Sequence, residues 1–176
     1  MGRDVCGARE SGTMIIKPIE DRDRGYVLFS WREGAKRAPS LDRLPWSYFR
    51  DTYGHAFGTV LDDPATRVLG AYTDDSDEGK LIGWLLMSPG KRVHTAHWIH
   101  VKHELDGEQT RRRGVMTALL DAAQLGPRFI YTLHAKRNRA PLPDGSTSKS
   151  LDETLVAALR AKGITATFVA IKEWLK

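Results

Sequence analysis

Only one cysteine, Cys6, occurs in the 176 residues. That excludes an intramolecular disulfide and any zinc site built on cysteines. Long apolar runs are missing as well: the longest, Leu81 to Met87, is far shorter than the ~20 residues a membrane helix needs. The opening stretch MGRDVCGARESGT has no apolar core of the kind a signal peptide carries. Cys6 also stands where a myristoylation signal has Ser or Thr. The expected address is therefore cytoplasmic, away from any membrane. Internal repeats and low-complexity tracts are absent too. What is present is a globular mixture, 41% apolar and 28% charged with 16 Gly and 8 Pro, which excludes a wholly disordered, collagen-like or coiled-coil chain. A domain of this length buries roughly 70% of its unfolded surface. Lys and Arg together number 27 against 22 Asp and Glu, a net charge of +5. Such a balance suits an anionic partner, a phosphorylated cofactor or nucleic acid.

The periodicities divide the chain into residues 1–13, small, polar and expected to be disordered, and one domain over 14–176. MIIKPIE from Met14 has the β-branched pair of a first strand. Tyr26, Phe29 and Trp31, with Val27 and Leu28 between them, predict a helix over about 22–36 with these aromatics toward one side. A second helix is expected over about 45–61, with Pro45 in its first turn and Trp46, Phe49, Tyr53 and Phe57 as a core stripe. The period then changes. TRVLGAYT and KLIGWLLMS, joined by an acidic turn, predict a hairpin, and RVHTAHWIHVKH a third strand after it. RRRGVMTALLDAAQLGP has the clearest helical pattern in the chain. Val115, Met116, Leu119, Leu120, Ala122 and Ala123 form its apolar face, and Gly126 with Pro127 its stop signal. RFIYTLHAK is a further strand, residues 137–148 a loop, SLDETLVAALRAKG a helix with a Ser150–Glu153 capping box and Gly163 at its end, and ITATFVAIKEWL a last strand. The expected order is β, α, α, β, β, β, α, β, α, β, an α/β fold with a mixed sheet and helices on both faces.

Chemistry concentrates where the strand through His97 to Lys102 runs toward Arg111-Arg112-Arg113-Gly114-Val115-Met116. A helix N-terminus exposes unpaired N–H groups and about half a positive charge. Three arginines and a glycine there suit a phosphate or pyrophosphate, because glycine lets the backbone itself approach the anion. Histidines 94, 97, 100 and 103 recur every third residue. One metal cannot gather them: along a strand His94 and His100 lie roughly 20 Å apart at about 3.3 Å per residue, and zinc ligands sit about 2 Å from the ion. His100 is instead a candidate base, since imidazole titrates near neutrality. Lys136, Arg137 and Arg139 form a basic loop suited either to solvent or to an anionic acceptor.

Arg111-x-x-Gly114-x-Met116, after a strand and opening an amphipathic helix, resembles the acyl-CoA pyrophosphate motif of the GNAT N-acetyltransferase superfamily. That motif has Gln or Arg, two residues, Gly, one residue, then Gly or Ala. The element order over 14–176 is similar to that superfamily's. Ile82-Gly83-Trp84, Trp98 to Lys102 and Arg111 to Leu120 also resemble GNAT-like proteins of bacteriophages. The resemblance implies a GNAT-like, mostly antiparallel central sheet and transfer of acetyl from acetyl-CoA to an amine on a small molecule or protein. It implies that main-chain groups of Ile99 to Val101 hold the thioester, and that Arg111, Arg112, Arg113, Gly114, Val115 and Met116 hold the pyrophosphate. His100 would be the base, with Glu104 as its rival and Tyr131 as a substitute acid. Three departures stand beside it. HELDGEQT lengthens the turn before the helix, Met116 replaces a small residue, and Leu159 occupies the place of a tyrosine that acts as general acid in many members. Two other readings are therefore carried: a Mom-like relative that modifies phage DNA, and a GNAT-fold binding protein without catalysis.

Overall fold

The computed structural model describes residues 14–37, 41–88, 94–102, 104–105, 108–109, 114–125, 128–131, 156–157 and 159–168, of which 94, 104–105, 108–109, 128–131 and 166–168 are described by backbone alone. The elements are β1 (Ile15–Pro18), a 3-10 turn (Asp21–Asp23), α1 (Arg24–Lys36), α2 (Trp46–Asp62), β2 (Arg67–Tyr72), β3 (Leu81–Ser88), β4 (His94–Val101), β5 (Glu104–Leu105), β6 (Glu108–Gln109), α3 (Val115–Ala122), β7 (Arg128–Tyr131) and β8 (Thr165–Phe168). One sheet takes strands in the order β1-β2-β3-β4-β7-β8, and β5 with β6 forms a small separate hairpin. The pairings from β1 to β4 are antiparallel, whereas β4–β7 and β7–β8 are parallel.

β3 is the centre of this arrangement, and Leu81 to Met87 are all buried. A strand covered on both faces has no reason to alternate in polarity, which is why its sequence is a continuous apolar run. Trp84 Nε1 donates to Ser30 Oγ of α1 at 3.1 Å, so that side chain and its alternates face the α1 layer. Gly83 faces the other way: a Cβ there would lie 2.7 Å from Val115 Cγ1 and 2.9 Å from the His100 carbonyl oxygen. α3 therefore lies on the opposite face with its first turn pressed against β3 and β4. Val27, Trp31 and Ala35 of α1 and Phe49, Phe57 and Leu61 of α2 are buried in the layer between helices and sheet.

Several expectations need correction. Asp21–Asp23 is a 3-10 turn, so α1 begins at Arg24. Pro45 is the N-cap of α2 rather than a first-turn residue, and its extended ψ of 143° stops helix propagation backward. Phe29 is 62% exposed and Trp46 44% exposed; each lies outside the buried stripe that Trp31, Phe49 and Phe57 occupy. Ala122 is exposed, and α3 ends there with Gln124 at φ 49°, before Gly126 and Pro127, which lie outside the described residues. HELDGEQT contains the β5–β6 pairing, an additional element in the order. Gly163, at φ 71°, closes the last described helical turn as expected, with Ile164 N donating to the Leu159 carbonyl at 3.0 Å. The Ser150–Glu153 capping box and the 137–148 loop lie outside the described residues.

Candidate active site

Among the described residues β4 pairs with β3 from Thr95 to Val101 and with β7 from His94 to Ala96. On the β3 side the register runs from Ser88↔Thr95 to Gly83↔Val101. On the β7 side it covers His94↔Phe129, Thr95↔Ile130 and Ala96↔Tyr131. Among the described residues, β4 beyond Ala96 has no partner strand there. Lys102 N donates to the Ile82 carbonyl at 2.9 Å, which fixes the phase of the ladder. In an antiparallel pair successive residues alternate in direction. Lys102 and His100 thus turn their main-chain groups toward β3, while Ile99 and Val101 turn theirs to the opposite side, that of β7. Ile99 is buried and Val101 half-buried.

The start of α3 packs on the sheet face opposite α1, where Gly83 of β3 leaves room for Val115. Gly114 is its N-cap, one residue ahead of the first turn. Its φ of 72° belongs to the left-handed region, which side-chain-bearing residues enter at a cost of about 1–2 kcal/mol. Nothing lies within 4 Å of where its Cβ would stand, and the residue is exposed. Space is not what requires glycine here; backbone direction is. Val115 is buried against Gly83 and Met116 is half-buried on the core cluster, so Met116 serves packing.

His100 is half-buried on the α1 face of β4, among aromatic groups. Its ring stacks on Trp84, with centroids 5.9 Å apart and 24° between planes. Its Nε2 lies 3.2 Å from Tyr26 Oη of α1. Lys102 Nζ sits 4.6 Å from the centroid of the Tyr26 ring. Burial raises the Tyr26 pKa, which keeps its phenol protonated. His97 occupies a contrasting place. The β3–β4 register slips so that Met87 opposes Ala96 and Leu86 opposes Trp98, leaving His97 as the bulged residue. It is buried, its Nε2 lies 2.7 Å from Ser88 Oγ, and burial pushes its pKa down to about 4 against the opposing pull of Asp63.

Of the residues singled out in the sequence, Ile99, His100 and Val101 lie on β4, with the His100 ring on the α1 face, and Gly114, Val115 and Met116 lie at the start of α3 on the opposite face of the sheet. Glu104 and Tyr131 are placed by backbone alone, in β5 and at the end of β7. Arg111, Arg112 and Arg113, and Lys136, Arg137 and Arg139, lie outside the described residues. Leu159 is fully buried in the core. No group of three or more metal-ligating side chains occurs among the described residues, and no described helix is long and apolar enough to cross a membrane. Tyr26, Trp84 and Ser30 were missed as site residues. Tyr26 reads as one member of an aromatic helix stripe, and nothing local links it to a histidine 74 positions away.

No family model and no curated protein matches the sequence. Solved structures do match. A candidate acetyltransferase from Bacillus subtilis, YycN, is 13% identical with a TM-score of 0.56, covering 90% of this chain and 96% of that one. A candidate acetyltransferase from Pyrococcus furiosus is 14% identical with a TM-score of 0.55, covering 89% and 96%. The chain has the GNAT fold. At these identities the likeness extends to architecture, and GNAT-fold chemistry has to be argued from the residues present.

Proposed function

We propose that this GNAT-fold chain is an acyl-CoA-dependent N-acetyltransferase that moves acetyl from acetyl-CoA to an amine on a small molecule or protein. The observation that carries the reading is the glycine-capped start of α3, with Gly114 at φ 72°, packed through Val115 onto the β3–β4 part of the sheet, where Ile99 and Val101 turn their main-chain groups away from β3. The residues present fit the cosubstrate. An extended thioester arm needs strand-like main-chain partners, and a pyrophosphate needs backbone N–H groups at a helix start. Ile99 and Val101 would hold the arm, and Gly114, Val115 and Met116, with Arg111, Arg112 and Arg113 ahead of them, the phosphates. Acetyl-CoA supplies an activated thioester. The chain's part is to align the amine, to donate main-chain hydrogen bonds to the carbonyl oxygen as charge develops on it, and to take up the amine's proton at His100. Glu104 is the alternative base and Tyr131 an alternative acid to the protonated His100, since Leu159 is sealed in the core and carries no proton.

Calorimetry with CoA tests this. The wild type should bind, Gly114→Glu should abolish binding, and Gly114→Asn, which tolerates the left-handed region, should retain most of it. Acetyl transfer is then followed by CoA thiol release from acetyl-CoA across a panel of primary amines. No binding at millimolar CoA would overturn the reading.

A further inference from the structure

From the Tyr26–His100 contact we infer that Tyr26 is a catalytic proton relay, its phenol standing between the acceptor amine and the imidazole of His100. The inference rests on the acetyltransferase reading and deepens it. The Oη–Nε2 separation of 3.2 Å is within direct proton-transfer reach. Which ring nitrogen of a histidine carries its proton is set by the hydrogen bonds around it. The phenol can donate to Nε2 or accept from it; the relay takes the first arrangement, with hydrogen on Nδ1. In that tautomer the lone pair of the imidazole faces Tyr26 Oη, so a proton from the amine reaches His100 through Tyr26.

The surroundings hold this pair still. Trp84 backs the imidazole face and is itself anchored by Ser30 Oγ at 3.1 Å. Ser30 in turn donates to the Tyr26 carbonyl at 2.8 Å, one turn earlier in α1. Lys102 lies over the Tyr26 ring, so the phenol, the imidazole and the indole are tied to one another through two elements, α1 and the sheet. Such support is what a site needs to keep its geometry to within a few tenths of an ångström.

The step balances. The amine nitrogen forms a bond to the acetyl carbon as its N–H proton passes to Tyr26 Oη, and the original phenolic proton passes to Nε2. Tyr26 ends neutral and His100 ends as imidazolium. The carbon–sulfur bond breaks with its electron pair on sulfur, and the proton held on the imidazolium is the one that converts thiolate to thiol. No oxidant or reductant enters.

Nitrogen-15 NMR of the imidazole in the full chain, without any ligand, reads the tautomer. Nε2 of His100 should be unprotonated near pH 8 in the wild type, and Tyr26→Phe should shift that resonance. A protonated Nε2, or a spectrum that Tyr26→Phe leaves unchanged, would overturn the relay whatever the outcome with CoA. On an amine that the wild type acetylates, Tyr26→Phe and His100→Ala should each lower kcat by about 10²- to 10⁴-fold with CoA affinity unchanged. The double variant should be no slower than the worse single one, since groups that act as a unit are not additive. Additive losses would overturn the relay while leaving the transferase reading intact, whereas absent CoA binding would bring down that reading itself.

Discussion

His97 and His100 are separated by two residues on β4 and occupy opposite environments, and their difference makes a pH prediction. His97 is buried in its neutral form with a pKa of about 4, against 6.5 for a free imidazole. Between those values the unfolded chain binds a proton that the folded chain refuses, so stability is full above about pH 6.5 and falls as pH drops toward 4. At about 1.4 kcal/mol per pKa unit the loss is of order 3 kcal/mol. Urea midpoints at about pH 7.5 and pH 4.5 should therefore diverge more in the wild type than in His97→Gln; equal divergence would sink the claim. The sequence marked both residues through the same three-residue repeat. It could not separate them, because burial and the Ser88 partner of His97 come from strand packing and a bulge that no local pattern encodes.

Glycines on helices show what decides a contact between elements. Gly34 lies in the interior of α1, where alanine is intrinsically better by about 1 kcal/mol. A Cβ there would overlap the Trp98 ring of β4. Overpacking of this kind costs typically 1–3 kcal/mol, so Gly34→Ala should lower Tm. Gly58 of α2 has nothing within 4 Å of its would-be Cβ, and Gly58→Ala should raise stability by about 0.5–1 kcal/mol. Thermal unfolding of the two variants side by side checks this, and a gain for both would mean that α1 does not approach β4 as closely as described. Helix existence was legible at this scale, since the 3.6-residue period of α1, α2 and α3 is a local property. The outward turn of Phe29 and Trp46 was not, because an aromatic at helical spacing carries no record of which neighbour reaches it.

Across the whole molecule the positive charge is modest, +5 over 176 residues, and the proposed cofactor site already has use for Arg111 to Arg113. Duplex DNA is expected to show no tight, salt-sensitive retardation in gel-shift assays, with or without neutralisation of Lys136, Arg137 and Arg139. Tight binding whose salt slope flattens by about three on that triple substitution would instead favour a DNA-modifying relative. The junction between the antiparallel and parallel parts of the sheet also belongs to this scale: β4 pairs antiparallel with β3 and parallel with β7, which follows α3 in the chain.

The amino-acid order by itself determined the existence of β2, β3 and β4, the acidic hairpin turn, the helical stripes, and the glycine after the arginines. Each of these follows from steric and capping rules acting within a few residues. Tertiary structure alone decided that Gly83 receives Val115 of α3 on one face of the sheet, that His97 is bulged out and buried, and that Tyr26 reaches His100 on the other face. Those outcomes rest on long-range packing, in which the energy of a contact depends on both partners and on everything holding them in place.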